Sequence, residues 1–118
     1  MYIKTYQTRW NDKDNFIFIG GRGSRIMACI EMTVFKEGDH KGEAYLWNLH
    51  VDEQYRLCGF GRELIDCALE SARIFNCTRA TLEWDIKDSP QWVFDWYTRL
   101  GFEEKKFGKG CAWMEKKL

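Results

Sequence analysis

The chain has 118 residues, 45% of them hydrophobic, with 18 basic and 18 acidic side chains and no net charge. That length predicts one domain over residues 1–118. The balanced charge supplies no basic field for nucleic acid, and no apolar run reaches the roughly 20 residues of a membrane span.

Residues 2–8 read as a strand, 11–15 as a turn, and 16–19 as strand again. The glycine cluster at 20–24 lies between strand-like runs with no helix after it, so it reads as a hairpin loop. Residues 26–35 form a long apolar strand, 36–42 a turn, and 44–51 the fourth strand. The period then changes. Leu64, Ala68, Ala72 and Phe75 recur at helical spacing between Gly59 and Asn76, and Asn76 suits a left-handed helix end. Residues 80–85 return to strand. Ser89 is the expected N-cap of a second helix, with Pro90 at its first position. Val93, Trp96, Tyr97 and Leu100 make its inner stripe. Gly101 stops it, and Phe102 folds back over the last turn. Strands at 102–106 and 111–116 close the chain. The order β-β-β-β-α-β-α-β-β is an α+β arrangement, a mainly antiparallel meander followed by one βαβ crossover.

Cys29, Cys58, Cys67, Cys77 and Cys111 contain no C-x-x-C pair, and His40 and His50 are not spaced with them as ligands. No metal is expected. Free thiols and the lack of a charged-then-apolar leader at the N-terminus predict a reducing cytoplasm.

The stretch with the most chemistry is Arg56-Leu57-Cys58-Gly59-Phe60-Gly61, between the fourth strand and the first helix. It reads R-x-x-G-x-G. Glycines let backbone approach a ligand closely, and a helix start offers free N–H groups and the positive end of a dipole. Together with the Arg56 guanidinium this is an anion site suited to a pyrophosphate. Cys58 has no histidine near it in sequence and is expected to supply a backbone N–H rather than a nucleophile.

Read with its surroundings, the loop resembles the GNAT superfamily of acetyl-CoA-dependent N-acyltransferases. Leu49-His50-Val51 running into Arg56-x-x-Gly59-x-Gly61 is similar to that family's strand and pyrophosphate loop. Leu82-Glu83-Trp84 resembles its L-E-V strand, and Tyr97-Thr98-Arg99-Leu100-Gly101-Phe102 its Y-x-x-L-G-F helix end. Residues 112–116 resemble its last strand. The resemblance is strongest over residues 44–102. It implies a GNAT-type mixed, mainly antiparallel sheet with a pyrophosphate loop after the fourth strand. It further implies acetyl-CoA as co-substrate, bound by Leu49, His50, Val51, Arg56, Leu57, Cys58, Gly59, Phe60, Gly61 and Arg62. Tyr97 is the implied general acid for the leaving thiolate, and Glu83 the general base, with Asp85 on the same face as fallback.

Three departures shape the acceptor side. Tyr45 and Trp47 stand where many relatives carry acids, which implies a flatter, more apolar acceptor; Glu43 is a partial substitute. Pro90 replaces a common asparagine. The helical segment usual between the first two strands is absent, so the site is expected to be open or completed by a second copy in a homodimer. The resulting expectation is an N-acetyltransferase acting on a primary amine, a peptide or protein amine before a small one. The alternative is a catalytically weak acyl-CoA-binding or interaction module on the same fold.

Overall fold

The computed structural model describes residues 1–118. Its elements are β1 (Tyr2–Arg9), β2 (Lys13–Arg22), β3 (Arg25–Phe35), β4 (Glu43–Val51), a 3₁₀ turn (Glu53–Tyr55), α1 (Phe60–Ile74), β5 (Arg79–Asp85), α2 (Gln91–Arg99), β6 (Glu103–Gly108) and β7 (Cys111–Lys117). The strands form one sheet in the order β1-β2-β3-β4-β5-β7-β6. All neighbours are antiparallel except β4 and β5, which run parallel. This is the α+β sheet the element order predicted.

Three local readings change. β2 runs through Gly20 and Gly21, so the hairpin turn is confined to Gly23 and Ser24. Those two glycines are strand residues beside a register shift. Side chains of Met1 and Tyr2 occupy the space a Cβ would need there. The first turn also shrinks, because β2 begins at Lys13 and Asp14 is buried. Ser89 is not a cap. Its N–H bonds to the Asp85 carbonyl, and Pro90 takes the N-cap position with no side-chain cap.

The other ends behave as expected. Asn76 adopts φ +62 after α1, and Gly101 φ +99 after α2. Phe102 is 1% exposed and meets the Tyr97 ring edge-on at 6.2 Å. The inner stripe of α1 is Leu64, Ile65, Ala68, Leu69 and Ala72, while Phe75 lies just past the helix and stays partly exposed.

Both helices cover the same face of the sheet. Alternation sends Phe16, Phe18, Ile30, Met32, Leu46, Leu82 and Met114 into one cluster with the α1 stripe, and Val93, Phe94 and Trp96 of α2 pack against it. Burying each large apolar side chain contributes about 1.5–3 kcal/mol. The opposite face carries Ile17, Glu31, Thr33, Tyr45, Trp47, Glu83 and Trp113, by the same alternation, and no helix packs on it. The cause is local. Only Trp10, Asn11 and Asp12 link β1 to β2, too short for a helix. The shortest dimension of the molecule is therefore 21 Å, the thickness of two layers rather than three. No helix is long and apolar enough to cross a membrane.

Candidate active site

The parallel ladder between β4 and β5 is short. It pairs Glu43, Ala44 and Tyr45 with Arg79, Ala80 and Thr81, and then stops. The physical reason lies in β4. Asn48 has φ +56, and the β3–β4 register shifts opposite it, between Cys29 and Glu31. Asparagine tolerates this left-handed conformation better than most residues, and Asn48 Nδ2 anchors it by donating to Glu31 Oε2 at 2.7 Å. Such a bulge bends the strand it sits in. The end of β4 turns from β5 and leaves a wedge. A cavity of about 50 Å3 occupies it, lined by Ile30, Leu46, Trp47, Asn48, Leu49, Ile65, Leu82, Glu83 and Tyr97.

Tyr97 and Glu83, 14 residues apart in sequence, thus line one cavity. Tyr97 comes from α2 on the helical side. Its ring packs on Trp96 (5.4 Å) and Phe102, and its hydroxyl makes no hydrogen bond within the protein. Burial pushes the phenol above its ordinary value of 10, so it stays a proton donor. Glu83 comes from β5 on the open face and is exposed. Its one hydrogen-bond partner within the protein is Cys111, whose Sγ donates to Glu83 Oε2 at 3.9 Å. Burial and then the carboxylates of Asp85 and Glu83 raise the Cys111 thiol, so it stays protonated. The sequence offered no sign of this contact, because Cys111 and Glu83 are brought together only by the β5–β7 pairing.

Around Glu83 the open face is aromatic. Tyr45 stacks on Trp113 with centroids 5.7 Å apart and planes 11° from parallel. Burial raises the Tyr45 phenol, and the charge of Glu83 adds to it, followed by Cys111 and Glu43. Trp47 donates its indole N–H to Thr33 Oγ1 at 3.1 Å, and Thr33 donates on to Asn15 Oδ1 at 2.7 Å. Asp85 shares the face, but its Oδ1 accepts the Lys87 N–H at 2.8 Å and is committed to the following turn. Glu43 does not substitute for an acid at the wedge. It is 4% exposed, at the far end of β4, where it accepts from Thr81 Oγ1 (2.9 Å) and Arg79 (3.3 Å) and contacts His40 Nδ1 (3.1 Å).

The loop after β4 brings Val51, Arg56 and the start of α1 together. Arg56 Nε donates to the Val51 carbonyl at 3.1 Å, which fixes the guanidinium beside the strand end. Leu57 adopts φ +66 and is 98% exposed. A left-handed non-glycine residue costs about 1 kcal/mol, which the rest of the turn must offset. The two glycines serve different ends. Gly59 has φ +82 with open space where a Cβ would be. At Gly61 a Cβ would lie 3.3 Å from the Trp96 indole and 3.5 Å from Val51, so Gly61 permits α1 and α2 to meet. The first N–H groups of α1, those of Phe60, Gly61 and Arg62, have no acceptor inside the helix. Arg56, the open side of Gly59 and these donors fit a pyrophosphate.

The remaining candidates lie outside the wedge. Cys58 is exposed, with Sγ 3.7 Å from the Arg56 carbonyl. His50 is exposed and 3.4 Å from Asp52, and Arg62 is exposed and 3.8 Å from Asp66. Of the other aromatic residues of α2, Trp96 packs on Gly61, and Trp92 is more than half exposed. Neither lines the cavity.

Comparison with known proteins adds to this geometry. The model of the Acetyltransferase (GNAT) family matches residues 1–102. An uncharacterized N-acetyltransferase of Methanocaldococcus jannaschii is 28% identical over 126 aligned positions, covering 99% of this chain and 54% of the relative. The chain thus spans about half the length of that relative. Among solved structures, the PaiA N-acetyltransferase of Thermoplasma acidophilum, in complex with coenzyme A, superposes with a TM-score of 0.77 at 18% identity, covering 88% of this chain and 61% of that one. The ribosomal-protein-S18-alanine N-acetyltransferase of Escherichia coli gives 0.71 at 21% identity, covering 92% and 71%.

Proposed function

The chain belongs to the GNAT acetyltransferase family, and from that premise we propose that it transfers an acetyl group from acetyl-CoA to a primary amine. The observation that carries this reading is the wedge: a proton donor, Tyr97, and a carboxylate, Glu83, line one cavity from opposite faces of the sheet. The anion cradle follows β4, the strand whose Leu49 lines the same cavity. In this reading residues 1–118 act as one unit. The pyrophosphate rests on Arg56 and the donors from Gly59 to Arg62. The pantetheine arm runs along the unpaired edge of Leu49, His50 and Val51. The helix-free face of the sheet admits the acceptor, a peptide or protein amine or a small one.

The chemistry balances with these groups. Glu83, directly or through one water, takes a proton from the acceptor ammonium. The freed nitrogen attacks the thioester carbon, forms the carbon–nitrogen bond and sheds its second proton to water as the neutral amide forms. The carbon–sulfur bond breaks, and the sulfur leaves with the proton of Tyr97, which solvent then restores. Burial of the phenol supports this role, since it holds the proton on Tyr97 until the thiolate needs it.

The test is thiol release from acetyl-CoA with a panel of amines and peptides, beside calorimetry of CoA binding. Turnover on at least one amine, reduced by Glu83→Gln, is expected. Tight CoA binding with no turnover on any acceptor would overturn the transfer reading and leave an acyl-CoA-binding module.

A further inference from the structure

Resting on the reading above, we propose that the acceptor is an arylalkyl primary amine with no adjacent carboxylate, whose ring lies against the stacked Tyr45–Trp113 pair while its nitrogen reaches Glu83. Three observations lead there. First, Trp113 on β7 is the direct register partner of Glu83 on β5. Register partners stand about 5 Å apart with side chains on the same face. That is the distance spanned by a two-carbon arm between ring and nitrogen. Second, the Tyr45 and Trp113 rings are stacked, with centroids 5.7 Å apart and planes 11° from parallel, and both are half-buried on a face that no helix covers. An offset stack of two rings leaves an outer face on which a third ring can extend it.

Third, the charge around the stacked pair is complementary to an ammonium. Glu83 is exposed and has no cationic partner; Asp85 is two residues on. Arg79, the cation further down β5, is held by Glu43 and Glu115. Lys106, in register with Trp113 on β6, stands beyond the indole from Glu83. An ammonium is drawn to this spot, and a carboxylate on the neighbouring carbon is repelled. Free aromatic amino acids are therefore poor acceptors. The same chemistry is met by a free arylalkylamine and by the aromatic first residue of a peptide.

The test is initial-rate thiol release with tyramine, tryptamine, n-hexylamine, free tyrosine, and tripeptide amides that begin with tyrosine or alanine. Binding of tyramine and n-hexylamine to the CoA-saturated protein is followed in parallel by calorimetry. Expected is a preference of about tenfold or more in kcat/KM for the aryl member of each pair, seated mainly in KM. Trp113→Leu should abolish the preference, and Trp113→Phe should keep it, which separates loss of the ring from loss of the fold. The peptide and free-amine pairs show which source the site takes. Equal kcat/KM for tyramine and n-hexylamine overturns the platform and leaves acetyl transfer standing, as does a preference that survives Trp113→Leu. If no amine turns over yet tyramine binding depends on Trp113, the platform stands and the transfer reading fails.

Discussion

Replacing Tyr97 by phenylalanine removes one oxygen, and the structure bounds what else it can change. The ring packs on Trp96 and Phe102 at 5.4 and 6.2 Å, contacts that phenylalanine keeps. The hydroxyl accepts and donates no hydrogen bond within the protein, so no partner is left unsatisfied. The stability change should stay within about 0.5 kcal/mol, or about 3 °C in Tm. CoA affinity should hold, since the anion cradle is on α1. The catalytic cost is of another order. Without the phenol the thiolate leaves unprotonated, and general acid catalysis is worth about 10²–10⁴-fold, or about 2.7–5.5 kcal/mol of barrier. Thiol release at saturating acetyl-CoA and amine reads kcat, and thermal unfolding reads the fold. A folded Tyr97→Phe variant with undiminished kcat would refute the reasoning and assign Tyr97 to packing alone.

Five further outcomes follow from the same geometry. Because burial raises the Tyr97 phenol, activity should hold to at least pH 10 and fall only above it, as the donor is lost; that falling limb should vanish in Tyr97→Phe, and a limb unchanged by the substitution contradicts the assignment. Gly59→Ala places a Cβ in open space at φ +82 and should cost about 1 kcal/mol through strain. Gly61→Ala should instead disturb the α1–α2 contact at Trp96, and an unshifted tryptophan emission spectrum would count against it. Glu43→Ala strips the buried carboxylate from Thr81 and Arg79 and should cost about 3 kcal/mol in urea unfolding; a cost under about 1 kcal/mol would show that Glu115 and solvent suffice for Arg79. Binding of CoA should weaken with added salt while that of pantetheine should not, because attraction is local to Arg56 and the helix start; equal salt slopes in calorimetry would contradict the cradle.

Much of the molecule was legible one element at a time. Period, caps and turn residues act within about four positions, so the order of strands and helices could be read from them directly. Asn76 and Gly101 are visible as helix ends because few other residues take a positive φ cheaply. The R-x-x-G-x-G junction is visible as an anion site because its parts are contiguous. The open face follows from three linking residues, Trp10 to Asp12, which cannot hold a helix. Even here the borders slipped where a distant chain segment intervened: Gly20 and Gly21 look like a loop and are strand, because Met1 and Tyr2 need their space.

The tertiary structure decided which side chains meet. Register between strands is a non-local quantity, and a shift of one residue moves every side chain to the other face. Only the β5–β7 pairing brings Cys111 to Glu83, 28 positions away, and sets Trp113 beside it. Only the parallel β4–β5 ladder carries Glu43 into a buried network with Arg79 and Thr81, 36 and 38 positions on, and away from the wedge. Gly61 reads as part of a phosphate loop, yet the packing of α1 on α2 explains it, through a tryptophan 35 residues distant. The wedge itself belongs to both levels. Asn48 is an asparagine in a strand, which sequence alone records, but the bend it makes opens a cavity only because β5 lies parallel beside it for three residue pairs and no more.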